Sequence, residues 1–199
     1  MKSKALLAPP LLPALGIGDA YGAPFEFRPA EMVHPYNDGE RYHAPIPPRP
    51  VYAENQRTIG HYTDDTQMSL AIAEVLIDKA PWTPRTIADR FVQVYQRDER
   101  KGYSSIAYIL KRCKNGADFL RLVTTDNTCN EAAMRALPIG VLPTVAKVKE
   151  YAAVQAKITH NTTEGILSSQ AIALIAHYGL KRLGKPANLP AFLKRHLGG

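Results

Sequence analysis

The chain has 199 residues, of which 45% are hydrophobic and 22% are charged. This composition is ordinary for a soluble globular protein and argues against a disordered chain. The formal net charge of +7 favours an anionic partner, such as a nucleotide, nucleic acid or an acidic surface, without choosing among them. Cys113 and Cys129 form no CxxC pair, so the sequence indicates neither a zinc site nor a disulfide scaffold.

The N-terminus mimics a secretory signal only faintly. Lys2 and Lys4 precede an apolar stretch. Pro9, Pro10 and Pro13 interrupt that stretch, and prolines break the helix that a signal segment needs. No apolar run approaches the roughly 20 residues of a membrane-spanning helix. Together with cysteines that need no oxidising compartment, these features predict a cytoplasmic protein that does not enter a membrane.

The first predicted helix carries glycines at positions 16, 18 and 22. Small residues there would let another helix or a ligand approach the backbone closely, although helix packing alone explains the same pattern. Residues 28–60 then contain six prolines among Tyr, His, Asn and Gly, and predict a long loop. Long ordered loops are often functional.

Five amphipathic helices are predicted after this loop, from apolar residues at intervals of three and four positions. Their stripes begin at Met68, Ile87, Ile106, Val145 and Leu167. The start signals are an Asp64–Gln67 capping pair, Thr83–Pro84, Pro143–Thr144 and an Asn161–Glu164 pair. No alternating strand pattern persists, so the sequence predicts an all-α fold in one domain over residues 1–199.

Glu26 follows the first predicted helix and is flanked by Phe25 and Phe27. A carboxylate between aromatic rings would be partly desolvated, which suits general acid or base catalysis. Considered alone, the residue is better explained as a solvated glutamate in a loop.

Thr63, Asp64, Asp65 and Thr66 place two carboxylates and two hydroxyls at the start of a predicted helix. Oxygen ligands clustered in this way suit Mg²⁺ or another hard cation, because a cation offsets the repulsion between neighbouring carboxylates. The alternative is helix capping, since Asp and Thr are favoured at N-termini and Asp suits the helix dipole. Taken alone, the pattern favours capping.

Residues 127–135 read as a polar loop followed by the start of a helix that ends near Arg135. Exposed amides at such a start could receive a phosphate, whereas a capped helix with Arg135 in a salt bridge explains the pattern equally. His160 precedes the last predicted helix, and a lone histidine there is more often structural than ligand-binding.

In their residues and in their order along the chain, these segments resemble the motifs of the ADP-ribosylglycohydrolase family. The segments are residues 18–26, 62–68, 132–135 and 159–160, and the resemblance runs from about Leu15 to Tyr178. It implies an orthogonal helical bundle with a centre of one or two Mg²⁺ ions, or Mn²⁺ in their place. The implied reaction is hydrolysis of the glycosidic bond of an ADP-ribosylated protein, or of a related ADP-ribosyl or N-ribosyl small molecule.

The resemblance also implies roles for single residues. Glu26 matches the catalytic glutamate, and Thr63, Asp64 and Asp65 match the first set of metal ligands. Asp19 is expected to support the site. The positions expected to contact substrate are Asp19, Gly22, Asn130, Glu131, Ala132, Met134 and His160.

The sequence departs from the family pattern in two places. The late Asp-x-Asp-Ser/Thr motif, which supplies the remaining metal ligands, is absent, and residues 181–199 contain no Asp. The resemblance therefore predicts a bundle shortened at the C-terminus, whose uncovered apolar faces would favour a homo-oligomer. Cys129 and Glu131 stand where the family usually has glycines, and a carboxylate beside a bound phosphate would repel it unless it points away.

Two other functions stay open. A catalytically impaired module that binds ADP-ribose or a nucleotide on the same fold is the main alternative, because the second set of metal ligands is missing. Nucleic-acid binding ranks last, because the basic clusters near residues 111–114, 181–185 and 194–195 are not interleaved with aromatic residues, and no nucleic-acid motif is present.

Overall fold

A computed structural model of the chain describes residues 10–44, 59–98 and 105–198. The regular elements in these ranges are helices, so the predicted all-α class is confirmed. The α-helices, numbered α1 to α10 in chain order, span Leu11–Gly22, Ala30–Val33, Asp64–Ile77, Pro84–Arg97, Ser105–Leu110, Gly116–Leu122, Glu131–Met134, Val145–Lys157, Thr163–Leu180 and Leu189–Leu197. Two 3-10 helices in the same ranges span Leu137–Val141 and Pro186–Asn188.

Short polar side chains cap the N-termini of several helices. Thr63, Thr83, Asn115, Thr144 and Thr162 each accept a hydrogen bond from a backbone N–H in the first turn of the helix that follows. Each bond satisfies a donor that the helix itself leaves unpaired. The starts predicted at Thr83 and Thr144 are therefore confirmed.

Two predicted caps are wrong by one residue. Helix α3 is capped by Thr63 rather than by an Asp64–Gln67 pair, because the Gln67 amide donates to a backbone carbonyl outside the helix. Helix α9 is capped by Thr162 rather than by Asn161, whose backbone N–H is held by a carbonyl of a neighbouring segment.

The core lies between α3, α4, α8 and α9 and is closed by α5 and α6. Met68, Phe91 and Val148, from three of the predicted stripes, are fully buried. The stripe predicted on α9 is wrong in part, because Leu167 and Ile175 are each 39% exposed. Helix α9 packs instead through small residues against α7, α8 and the first 3-10 helix, and small side chains let these backbones come close.

The predicted loop over residues 28–60 is interrupted by the single-turn helix α2, which was not predicted. One turn is too short to show a helical period. Ring contacts from Tyr21 to Phe25 and from Phe25 to His43 pack the described part of this region against the end of α1, with centroids 5.5 and 5.9 Å apart. Residues 1–9 and 45–58, where parts of the N-terminal and loop predictions fall, lie outside the described residues.

Among the described residues, no helix combines the length and the apolar character that crossing a bilayer requires.

Candidate active site

A pocket of about 550 Å³ lies where α1 meets the start of α3 and the first 3-10 helix. Small-ligand sites in proteins span about 300–1,000 Å³, so the pocket is large enough for a nucleotide-sized group. The lining combines apolar side chains with three carboxylates and a hydroxyl. The lining residues are Leu11, Ala14, Leu15, Gly18, Asp19, Gly22, Ala23, Glu26, Thr63, Asp65 and Leu137.

Three local features bring the polar side chains to this pocket. Asp19 and Gly22 are three residues apart on α1 and therefore share one face of that helix. Glu26 follows in the turn after α1, and Thr63 and Asp65 stand at the N-terminus of α3. The structure thus brings together Asp19, Gly22, Glu26, Thr63 and Asp65, which the resemblance selected from distant parts of the chain.

The Asp19 carboxylate joins α1 to the start of α3. Its Oδ1 accepts a hydrogen bond from the Thr63 hydroxyl at 2.7 Å. Its Oδ2 accepts from the Thr63 N–H at 2.8 Å, from the Thr66 N–H at 3.1 Å and from the Thr66 hydroxyl at 2.7 Å. Hydrogen bonds to a carboxylate are about twice as strong as neutral ones. Four of them hold the first turn of α3 at a fixed distance from α1.

Asp65 is the most electrostatically perturbed group in the pocket. Burial, and then the negative charges of Asp19 and Glu26, raise the pKa of Asp65 to about 6. Its Oδ2 lies 3.3 Å from the Thr63 hydroxyl oxygen. The ionised form of Asp65 is therefore disfavoured in the bare pocket, and a bound cation would favour it.

The donor atoms fit one hard cation in part. Thr63 and Asp65 both line the pocket, and their 3.3 Å separation is close to the roughly 3 Å between neighbouring oxygens of an octahedral Mg²⁺ site. Asp64 is buried and is not among the lining residues. In the ranges that the structure describes, no three His, Cys, Asp or Glu side chains converge as a metal cluster.

Glu26 is exposed, as expected for a solvated glutamate in a loop, and the alternative of a carboxylate desolvated between two aromatic rings is wrong. Phe25 packs against Tyr21 and His43, and the Phe27 side chain is itself 81% exposed. Neither ring shields the carboxylate from water. Glu26 nonetheless lines the pocket and lies close enough to Asp65 to affect its pKa.

The other residues predicted to contact substrate are not part of this lining. They are Asn130, Glu131, Ala132, Met134 and His160. In this second group the buried His160 ring places Nε2 2.8 Å from Glu131 Oε2, and Nδ1 2.7 Å from the Thr159 hydroxyl. The bond from His160 holds the pKa of Glu131 below its usual value. Glu131 is thereby committed to a partner within the protein.

Arg135, which the sequence explained as part of a capped helix and a salt bridge, is a buried residue. Its side chain is fully buried and donates to the Gln155 side chain at 2.6 Å and to the Thr159 hydroxyl at 2.6 Å. Its guanidinium also lies 4.9 Å from the centroid of the Phe91 ring. Helix α7 has only four residues, so its N-terminus offers no extended anion site. The preceding run of small residues was the available signal that this segment is packed closely.

The sequence of the chain is similar to those of several known proteins. Residues 11–198 match the profile of the ADP-ribosylglycohydrolase family. An uncharacterised protein of Archaeoglobus fulgidus is 28% identical over 163 residues, which cover 80% of this chain and 51% of the relative. The human ADP-ribosylhydrolase ARH3 is 28% identical over 163 residues, covering 77% of this chain and 44% of that protein.

The ADP-ribosylhydrolase ARH3 of Mus musculus is 26% identical over 191 residues, covering 92% of this chain and 50% of that protein. The chain thus spans about half the length of the curated relatives that it matches. The match of the profile over nearly all of the chain, together with the pocket that unites the matching motifs, shows that the chain belongs to the ADP-ribosylglycohydrolase family.

Proposed function

We propose that the chain carries the catalytic glutamate and the first metal ligands of a cation-dependent hydrolase. This hydrolase cleaves the glycosidic bond of an ADP-ribosylated protein or of a related ADP-ribosyl small molecule. The observation that carries this proposal is the presence of Glu26, Thr63 and Asp65 in the lining of one pocket. Family membership and the relatives named ADP-ribosylhydrolase support the substrate class. Mg²⁺ is the proposed cation, with Mn²⁺ as its substitute.

Glu26 is the proposed catalytic residue. Glu26 is exposed and also lines the pocket, so water can reach this residue. In hydrolysis, water adds to the anomeric carbon, the bond from that carbon to the acceptor breaks, and the water loses a proton that Glu26 accepts. The acceptor leaves with a proton supplied by solvent. Glu26 therefore acts as a general base.

Thr63 and Asp65 would hold the cation, because both contribute oxygen atoms to the pocket lining and a bound cation would stabilise the ionised form of Asp65. When bound, Mg²⁺ would orient and polarise substrate oxygens. Leu11, Leu15 and Leu137 add apolar surface to the lining, which would exclude water from around a bound substrate.

Release of ADP-ribose tests the proposal directly. The chain is incubated with arginine-linked and serine-linked ADP-ribosylated peptides in Mg²⁺, in Mn²⁺ and in EDTA, and free ADP-ribose is quantified. We expect release that EDTA abolishes, and a loss of about 100-fold or more in the Glu26→Gln variant, since a positioned general base contributes about 10²–10⁴-fold. Equal release by Glu26→Gln and wild type, or release unaffected by EDTA, would contradict the proposal.

One observation favours a second candidate, a module that binds ADP-ribose or a nucleotide without turnover. The described residues bring only part of a metal-ligand set to the pocket, with no three-residue cluster of His, Cys, Asp or Glu. Titration calorimetry with ADP-ribose separates the two functions. Heat of binding without product favours the module, whereas binding with release favours the hydrolase.

A further inference from the structure

We infer that Asp19 is a positioning residue for the pocket: it fixes the direction of the Thr63 hydroxyl proton, and so turns the lone pairs of that oxygen toward the side where Asp65 lies. The inference rests on the proposed function, because the oriented oxygen matters only if the pocket holds a cation.

The hydrogen bonds around Asp19 define this direction. The Thr63 hydroxyl has one proton and two oxygen neighbours of interest. Asp19 Oδ1 lies at 2.7 Å and Asp65 Oδ2 at 3.3 Å. The shorter contact takes the proton, because 2.7 Å is an ordinary O–H···O distance and 3.3 Å is long for one. The Thr63 oxygen therefore meets Asp65 with lone pairs and without a proton.

When the Asp65 carboxylate is ionised, two oxygens that approach each other in this way repel unless something positive lies between or beside them. The remaining neighbour of the Thr63 oxygen is the Asp65 N–H at 3.4 Å, which is a weak contact. Thr63 is buried, so bulk water offers little compensation. The arrangement suits a cation that takes one donor from each side chain.

Unlike Thr63 and Asp65, Asp19 is not proposed to bind the cation directly. Three donors, the Thr63 N–H, the Thr66 N–H and the Thr66 hydroxyl, converge on its Oδ2, and the Thr63 hydroxyl occupies its Oδ1. A carboxylate that already accepts four hydrogen bonds has little capacity left for a cation. Asp19 therefore acts through Thr63.

The Asp19→Asn substitution tests this hydrogen-bond arrangement with little change in the shape of the side chain. The asparagine oxygen can keep the three donors that now converge on Oδ2, which leaves its NH₂ group facing the Thr63 hydroxyl. That group donates where Oδ1 accepted, so the Thr63 proton must turn to another acceptor, and Asp65 Oδ2 is the acceptor at hand. A proton then occupies the place of the lone pair that the cation needs.

Thr66→Val is the matched control. It removes the Thr66 hydroxyl, one of the four donors to Asp19, and leaves every bond of Thr63 in place. Both variants should lower the melting temperature. A residue that merely tied α1 to α3 would affect cation binding equally in both.

The experiment measures Mn²⁺ affinity by electron paramagnetic resonance and melting temperature by circular dichroism, for the wild-type chain and both variants without substrate. We expect Asp19→Asn to weaken Mn²⁺ binding by about 10- to 100-fold, as is typical for residues that orient metal ligands, and Thr66→Val to leave it within about threefold. The Asp19→Asn/Thr63→Val double variant should bind no more weakly than Thr63→Val alone, because Asp19 acts through that hydroxyl.

Wild-type affinity in Asp19→Asn, or an equal loss in Thr66→Val, would overturn the inference and leave the proposed function standing. A wild-type chain that binds no Mn²⁺ would overturn both. Should Asp19→Asn not fold, Asp19→Glu takes its place, since a carboxylate displaced by one methylene also loses the short bond to Thr63 and carries the same expected loss.

Discussion

Replacing Asp65 by asparagine should stabilise the metal-free protein at neutral pH. Burial and the charges of Asp19 and Glu26 raise the pKa of Asp65 from 3.8 to about 6. Because the folded-state pKa lies above that of the unfolded chain, the folded state binds the extra proton between about pH 4 and pH 6. Stability is therefore lost as the pH rises through this window, and asparagine removes the loss.

The size of the effect follows from the shift. About two pKa units, at 1.36 kcal/mol each, set an upper limit of about 3 kcal/mol, and the partial exposure of Asp65 reduces the expected gain to about 1–2 kcal/mol. Urea unfolding of wild type and Asp65→Asn at pH 7 and pH 4, in EDTA, measures it. The variant should be more stable at pH 7 and equal at pH 4.

Two additions sharpen this experiment. Asp118→Asn is the control of opposite sign, because the Lys114 N–H and the Arg121 guanidinium hold the pKa of Asp118 below its usual value, and its removal should destabilise the protein at pH 7. Added Mg²⁺ should stabilise the wild type more than Asp65→Asn. The reasoning is refuted if the variant has a lower free energy of unfolding than wild type at pH 7 and the difference between the two proteins is the same at pH 4.

Four further substitutions, one of them a control, test the packing, the buried Arg135 and the Glu131–His160 pair. Gly140→Ala should destabilise by about 1–3 kcal/mol, since a Cβ there would lie 2.6 Å from the Cβ of an alanine on α9, whereas Gly179→Ala, with open space around it, should raise the melting temperature slightly. Arg135→Met should lower the free energy of unfolding by about 3 kcal/mol or more, because its buried polar partners lose their donors; a loss under 1 kcal/mol in urea titrations would contradict this. Glu131→Gln should lower the free energy of unfolding at neutral pH, and this loss should shrink as the pH falls through the lowered pKa of Glu131. A loss that does not change with pH would show that the bond from ionised Glu131 to His160 is not its source.

Cap and stripe signals predicted helices α4 and α8 correctly because these signals are local. Thr83 and Thr144 cap helices at the predicted places, and the stripes through Phe91 and Val148 face the core. Helix α9 was harder, since it has neighbours on several sides and its small residues are buried as completely as its large ones. A single apolar stripe cannot describe such a helix.

Glu26 and Arg135 show a second kind of limit. The neighbours of Glu26 in the chain left both a desolvated and a solvated carboxylate open, and the structure decides for the solvated one, because Phe25 packs on other rings and Phe27 is exposed. The sequence suggested a salt bridge for Arg135 and gave no measure of its burial, and the structure shows it fully buried in a network with Gln155 and Thr159. Burial depends on contacts between distant segments, which adjacent residues do not specify.

The sequence by itself determined the helical class, the family and the residue types that could carry the chemistry, because helix periods, caps and motif wording are all properties of short segments. Only the tertiary structure decided which of those residues meet. It joined Asp19 to Thr63 and Thr66 across more than forty positions of sequence, gathered Glu26 and Asp65 in the same pocket, and set Glu131 and His160 apart as a separate pair. The reason is physical: hydrogen bonds and charge interactions act over a few ångströms in space, and only the packing of α1 on α3 brings these groups within that range.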